Sequence, residues 1–252
     1  MKIIDCSPLR DEEGNLGLLQ TLNGILDYGF KWQNKVQAAD QAIKRLQRTL
    51  GKEYMVFRDF SIPGIDPKHC AMVLVGPQGI LAVLASPLKG IYRAKGTEWM
   101  SFDQRARKFK KSKPNYQDTI LGISSVLKKA LEGQGLTLVD IESVLIFTNP
   151  RTLIDTARPR VRVVPADAVD YFAANLEQLP EILDKEDISY LKDILLRLTK
   201  PSPEENPVPE AEELQAEPVE ESPSTLSEYQ DSLYSPEAED FEFPDEVEES
   251  SV

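Results

Sequence analysis

The most informative stretch of the chain is residues 70–85, which reads CAMVLVGPQGILAVLA. Two nearly continuous apolar runs, 70–75 and 80–85, are joined by the turn residues 76–79, GPQG. A glycine- and proline-containing turn between two apolar runs predicts a β-hairpin. Because neither run alternates with polar residues, both faces of the two strands should be covered by helices. The segment therefore predicts the central strands of a sheet in an α/β protein.

The flanking sequence supplies helices and further strands. Apolar residues recur with helical spacing, and each such segment predicts a helix that packs one face against the sheet. Helices are predicted at 13–30, 34–50, 115–132, 165–176 and 187–198, and further strands at 54–62, 91–99, 141–147 and 160–164. This order predicts an α/β fold with a mixed β-sheet flanked by helices.

Charge divides the chain into two unequal parts. Residues 1–200 hold 29 basic and 24 acidic side chains, so this part carries a net charge of +5. Residues 201–252 hold 18 acidic side chains, eight prolines and no Lys or Arg. Like charges repel and proline removes backbone donors, so this acidic tail is predicted to be disordered.

The acidic tail also contains a few apolar residues close to its end. They are Leu226, Tyr229, Leu233, Tyr234, Phe241 and Phe243. Aromatic residues within an acidic segment are typical of peptides that bind a protein partner, or that fold back onto a basic surface of the same chain. A tail that only increases solubility is the alternative interpretation.

Cysteine content and hydropathy indicate a cytoplasmic protein without a membrane partner. Cys6 and Cys70 are the two cysteines, and neither lies at metal-ligand spacing from another cysteine or histidine. The first ten residues lack the apolar run of a signal peptide, and no stretch of 18 apolar residues occurs.

Several short features occur in an order that resembles one protein family. They are the helix 34–50 leading into Tyr54, the turn 76–79, Gly90, Trp99, the segment 114–117 (PNYQ) and the strand end 145–147 (LIF). Over residues 34–150 the chain resembles the nuclease-related domain (NERD) family of the restriction-endonuclease-like superfamily. The resemblance implies a restriction-endonuclease-like mixed sheet. Residues 1–33 would then form a helical arm, and residues 151–200 would complete the domain.

The resemblance implies metal-dependent cleavage of phosphodiesters, in which carboxylates hold Mg²⁺ and the ion activates an attacking water. The family has an Asp just before the first hairpin strand, and a Glu and a Lys two residues apart on the second. Aligned on the turn, these positions are Ala71, Leu84 and Ser86. Alanine and leucine have no oxygen to offer a metal ion. We therefore expect a degenerate, non-catalytic domain without a cofactor.

A divergent Mg²⁺-dependent nuclease is an alternative, and four residues are candidates for its catalytic site: Asp40, Asp66, Glu98 and Gln117. Gln117 matches a glutamine that the family keeps at its active site. Asp40 lies beside the position of the family's helical Glu, Asp66 precedes the first hairpin strand, and Glu98 lies beyond Gly90. His69 is the only histidine of the chain, and the sequence favours a loop or strand-start position for it over a role as a base.

A basic segment at 105–113 indicates a nucleic-acid partner. Its six positive side chains are Arg105, Arg107, Lys108, Lys110, Lys111 and Lys113, with Phe109 among them. Clustered cations attract a phosphate backbone, and the acidic tail would compete for the same surface. The segment is expected to be a loop. A second group of arginines lies at 151–162, with Arg160 and Arg162 expected on one face of the strand 160–164. A scaffold protein that acts through the tail is the remaining alternative.

Overall fold

The computed structural model describes residues 1–11, 13–136 and 140–199, so the predicted disordered tail lies outside the described residues. The strands of the described part are β1 (Lys2–Asp5), β2 (Met55–Arg58), β3 (Met72–Gly76), β4 (Gly79–Ser86), β5 (Gly90–Lys95), β6 (Glu98–Asp103), β7 (Lys108–Lys111), β8 (Ile141–Phe147), β9 (Thr152–Ala157) and β10 (Arg162–Val164). Its helices are α1 (Leu18–Tyr28), α2 (Lys31–Thr49), α3 (Tyr116–Gly133), α4 (Val169–Glu177) and α5 (Lys185–Thr199).

The larger of two sheets is mixed and has the strand order β1-β2-β3-β4-β8-β10. β3 is antiparallel to both of its neighbours, whereas the other pairs in this sheet are parallel. The predicted hairpin is confirmed, since Gly76 pairs with Gly79 across the turn. Gly79 has a φ of +116°, a conformation that glycine adopts at no steric cost. The α/β class and the mixed sheet therefore follow the sequence prediction.

Helices cover both faces of the larger sheet, as the unbroken apolar runs of β3 and β4 predict. One face of this hairpin, with Val73 and Ala82, packs against α3 and α5. The opposite face, with Leu74 and Val83, packs against α2 and α4. Every residue of β3 and β4 is buried as a result. Helices α2, α3 and α5 lie within three residues of their predicted bounds.

The second sheet corrects the prediction of one sheet. Its four strands have the order β7-β6-β5-β9. The prediction of a single strand at 91–99 is wrong, because residues 90–103 form the hairpin β5–β6. Gly96 lies in its turn with a φ of +53°. The basic segment 105–113, predicted as a loop, contains β7 paired with β6.

Other differences from the prediction also have local causes. The strand predicted at 54–62 ends at Arg58, because Asp59 adopts a left-handed backbone conformation with a φ of +54°. β1, within the predicted helical arm, and β9 are not evident from the sequence. β1 has four residues and β9 is largely exposed, so each depends on a parallel partner, β2 or β5, that is distant in sequence.

Trp99 connects the two sheets. It lies on β6 of the smaller sheet, is 2% exposed and belongs to the same apolar cluster as the larger sheet. Its ring stacks on Phe147 of β8 with centroids 5.6 Å apart and on Tyr92 of β5 at 5.5 Å. Aromatic packing therefore holds the smaller sheet against the face of the larger sheet that α3 and α5 cover.

Replacing Trp99 with alanine tests this connection. We expect Trp99→Ala to lower the free energy of unfolding by about 3–5 kcal/mol, because truncating a buried aromatic leaves a large cavity. Phe102→Ala, on the other face of β6, is the matched control and should cost less, since Phe102 is partly exposed. Urea unfolding followed by circular dichroism measures both variants. Equal losses would contradict the proposed role of Trp99.

Candidate functional site

Asp40, a candidate nuclease carboxylate, belongs to a buried charge cluster. Its Oδ1 lies 3.1 Å from Nη2 of Arg10 and 2.9 Å from Nη1 of Arg58. Arg10 also binds Asp59 at 2.6 Å, and Arg58 binds Asp5 on β1. Two buried guanidinium groups thus form ion pairs with Asp40. The cluster joins the N-terminal segment to α2 and β2.

Asp66 and Glu98 are also paired with lysine side chains and do not line a common metal site. Asp66 caps the 3₁₀ turn Pro67–His69 by accepting a hydrogen bond from the backbone N–H of Lys68 at 2.9 Å, and it forms an ion pair with the same lysine. Glu98 on β6 lies 3.0 Å from Nζ of Lys111. In the part of the chain that the structure describes, no three His, Cys, Asp or Glu side chains are grouped as metal ligands.

Gln117 is fully buried in the first turn of α3. Its Nε2 donates to the backbone carbonyl of Glu98 at 2.9 Å, and its Oε1 accepts from the backbone N–H of Arg160 at 3.0 Å. The side chain thus connects α3 to β6 and to the segment before β10. The structure brings Gln117 next to the backbone of Glu98, and it does not bring Asp40 and Asp66 into one site with them.

The three positions that would hold the nuclease residues lie together on one sheet face. Met72 pairs with Val83, so Ala71 lies opposite Leu84, and Ser86 follows on the same face two residues later. Ala71 and Leu84 belong to the apolar cluster under α3. Mg²⁺ requires oxygen ligands, usually carboxylates, and only Ser86 has a side-chain oxygen. These residues therefore do not fit a Mg²⁺ site.

A small pocket lies where β4 ends, beside these positions. Its volume is about 40 Å³, and its polar lining includes Lys35, His69, Ser86 and Tyr116. Lys35 comes from the second turn of α2, His69 from the 3₁₀ turn and Tyr116 from the start of α3. His69, predicted to be a loop or strand-start residue, is thus in a short helical turn and faces a pocket.

The pocket has a basic character. Burial lowers the pKa of Lys35, and the charge of Lys68 lowers it further. Burial also lowers the pKa of His69, and the neighbouring charge of Lys35 acts in the same direction. Burial raises the pKa of the Tyr116 hydroxyl, which therefore keeps its proton. Two groups that can carry positive charge thus lie close together beside a hydroxyl donor.

The basic segment forms the hairpin β6–β7. Asp103 accepts hydrogen bonds from the backbone N–H groups of Arg105 and Ala106 at 2.9 and 3.0 Å, which fixes the turn. Lys110 forms an ion pair with Asp103, and Lys111 forms one with Glu98. Among the described residues, no carboxylate lies within 4.0 Å of the side-chain nitrogens of the other four predicted cations, Arg105, Arg107, Lys108 and Lys113.

Phe109 of β7 is partly buried on the sheet. Its ring packs edge-on against Phe102 at a centroid distance of 5.3 Å, and the guanidinium of Arg93 lies 4.0 Å from its centroid. Arg93 is a cation of this surface that the sequence prediction missed. The alternation of Ile91, Arg93 and Lys95 along β5 is the signal that predicts a shared face.

Some arginines of the second group, 151–162, make contacts within the fold. Arg162 pairs with Glu142 at 2.6 Å and lies over the ring of Phe172. The expectation that Arg160 and Arg162 share a strand face is wrong, because β10 begins at Arg162. Arg160 precedes the strand, and its backbone N–H is held by Gln117. Arg151 and Arg158 flank β9.

Comparisons with protein-family models, with curated proteins and with solved structures give no match to this chain. Among the described residues, no helix combines the length and the apolar character that crossing a membrane requires. The function must therefore be inferred from the site itself.

A substitution of Gln117 separates a structural role from a catalytic one. We expect Gln117→Ala to lower the free energy of unfolding by about 1–3 kcal/mol, since the carbonyl of Glu98 loses this donor and the N–H of Arg160 keeps only its longer bond to the carbonyl of Gly96 at 3.3 Å. Gln37→Ala, at an exposed position of α2, should change it by about 0.5 kcal/mol or less. Urea denaturation measures both. Unchanged stability of Gln117→Ala would contradict the structural role.

Proposed function

We propose that this protein binds nucleic acid through the hairpin β6–β7 and does not cleave it. The observation that carries the proposal is the group of four cations on this hairpin, Arg105, Arg107, Lys108 and Lys113, without carboxylate partners among the described residues. Cations that are not paired with a carboxylate of the described residues are available to phosphate groups. Each phosphate that they neutralise releases condensed counterions, which favours binding at low salt.

The resemblance to the nuclease-related domain family supports the same proposal. In that family the hairpin β3–β4 would hold the metal, and here the corresponding face contains Ala71, Leu84 and Ser86. The basic hairpin leads directly into Tyr116 and Gln117 at the start of α3, next to this face. A nuclease-like domain that has lost its metal ligands and kept a basic surface would bind nucleic acid without cutting it.

Fluorescence anisotropy tests the proposal. Labelled duplex and single-stranded DNA and RNA are titrated with the protein in the presence of Mg²⁺, and the products are then separated on a gel. Binding that weakens steeply with salt and leaves the strands intact is the expected result. Cleaved strands would favour the divergent nuclease and would direct attention to Asp66 and Glu98.

Neutralising three of these four cations should weaken binding. We expect the variant Arg105→Gln, Arg107→Gln, Lys108→Gln to flatten the slope of log affinity against log salt by up to about 2.7 for duplex DNA, at about 0.9 per lost phosphate contact. The matched control removes three exposed lysines elsewhere, Lys52→Gln, Lys128→Gln and Lys129→Gln. An equal effect in both variants would mean that net charge alone drives binding.

The acidic tail is proposed to weaken binding by competing for the hairpin. We expect removal of residues 201–252, which carry 18 acidic side chains, to tighten DNA binding at low salt. The difference should vanish near 1 M salt, where the Debye length falls to about 3 Å. A full-length variant with amides in place of the tail carboxylates should bind like the truncated chain. Identical affinities of the truncated and full-length proteins would refute the competition.

Protein interaction is the second candidate function. The observation in its favour is the apolar surface of α1, where Leu18 and Leu26 are each 82% exposed and Leu22 is 51% exposed. Contiguous exposed apolar residues are typical of surfaces that contact another protein. Absence of any binding to nucleic acid at low salt would favour this function over the first.

A further inference from the structure

We propose that the pocket at the end of β4 binds a single phosphate group directly, with Lys35 and His69 where the resembling nucleases hold a metal ion. The inference that nucleic acid supplies this phosphate rests on the function proposed above. The pocket itself is defined by its own geometry and does not depend on the hairpin.

The hydrogen-bonding capacity of the pocket suits an anion. The ammonium of Lys35 has three N–H donors, and one of them is used by the backbone carbonyl of Lys68 at 2.9 Å. Two donors remain. The imidazole of His69 has no hydrogen-bond partner among the described residues, and the protonated hydroxyl of Tyr116 adds a further donor. These groups together can satisfy several oxygens of one phosphate.

The residues around the pocket favour an anion over Mg²⁺, which prefers carboxylate ligands. None of the residues that line it is a carboxylate. The nearest acidic group of the 3₁₀ turn, Asp66, is already paired with Lys68. A cation in this position would meet the ammonium of Lys35, whereas an anion could accept hydrogen bonds from Lys35, His69 and Tyr116. Burial lowers the pKa of both Lys35 and His69, and the charge of Lys68 lowers both further.

The size of the pocket limits its ligand to a small group. A volume of about 40 Å³ has room for roughly three waters, since each water needs about 10–15 Å³. That is close to the size of a tetrahedral oxyanion, and it is too small for a nucleoside.

The chain connects this pocket to the basic hairpin. Pro114 contributes to the pocket wall, and it directly follows Lys113, the last of the four cations that the described residues leave without a carboxylate partner. A nucleic acid that lies along the hairpin would therefore have one of its phosphates next to the pocket. This contact would give the nucleic acid a defined position on an otherwise nonspecific basic surface.

The single histidine of the chain is a built-in probe for the test. Because His69 is the only histidine among 252 residues, its imidazole proton resonances need no assignment. The full-length protein is titrated with sodium phosphate at constant pH, and with sodium chloride at matched ionic strength. We expect a saturable shift of the His69 resonances with phosphate and none with chloride. No shift with phosphate, or an equal shift with chloride, would overturn the proposal.

Lys35→Met removes the ammonium and keeps the aliphatic stem. We expect it to weaken phosphate binding at least about tenfold, the size of a lost charge-assisted hydrogen bond. Lys31→Met is the matched control one turn earlier on α2, where the side chain is exposed, and it should bind phosphate like the unmodified protein. Circular dichroism checks that both variants fold. Unchanged phosphate binding by Lys35→Met would also overturn the proposal.

Oligonucleotides distinguish the sources of the phosphate. A strand with a 5′-phosphate and the same strand with a 5′-hydroxyl are each titrated against the His69 signal. A response to both indicates an internal phosphodiester, and a response to the phosphorylated strand alone indicates a terminal phosphate. A response to inorganic phosphate only supports the pocket and limits its ligand to the free anion.

The two proposals fail in different ways. If the hairpin variants lose binding to nucleic acid but His69 does not respond to phosphate, the function proposed for the hairpin stands and the phosphate pocket is refuted. If His69 responds to phosphate while anisotropy detects no nucleic acid, the pocket stands and the proposed function is refuted.

Discussion

Burial of both faces of the β3–β4 hairpin is the constraint on which the other packing depends. All residues of these two strands are buried, and their side chains divide between two separate apolar clusters. A sheet with two apolar faces is stable in water only when helices cover both, so α3 and α5 pack on one face and α2 and α4 on the other. The cover ends where β4 ends, at Ser86. The starts of α2 and α3 lie around this point, and the phosphate pocket lies between them.

The distribution of charge follows from the same packing. Asp40 and Asp59 are used to neutralise Arg10 and Arg58 in the cluster that joins the N-terminal segment to the sheet. Breaking a buried ion pair typically costs about 3–5 kcal/mol, because it leaves an uncompensated charge. These carboxylates therefore have a structural role as partners of the buried guanidinium groups. At the hairpin and at the pocket, by contrast, cations are in excess, and both sites favour the same kind of ligand.

Some of the candidate site could be predicted from the sequence. The cations of 105–113 are adjacent in the chain, so their cluster is visible in the sequence, and the aligned positions Ala71, Leu84 and Ser86 lie on one face as the hairpin register requires. Among the described residues, two cations of this segment have carboxylate partners and four do not. This difference depends on β6, because Asp103 and Glu98 lie on that neighbouring strand. Sequence alone could not assign these partners.

The sequence by itself determined the α/β class, the central hairpin and the helices α2, α3 and α5, because their apolar patterns are local and extend over several turns or strand residues. Only the tertiary structure decided the second sheet, the parallel strands β1 and β9, and the pocket. Short exposed strands carry little pattern of their own and form because a distant strand pairs with them. The pocket combines Lys35, His69, Ser86 and Tyr116, which are far apart in the chain, and their proximity results from α2 and α3 packing on opposite faces of the sheet around the end of β4.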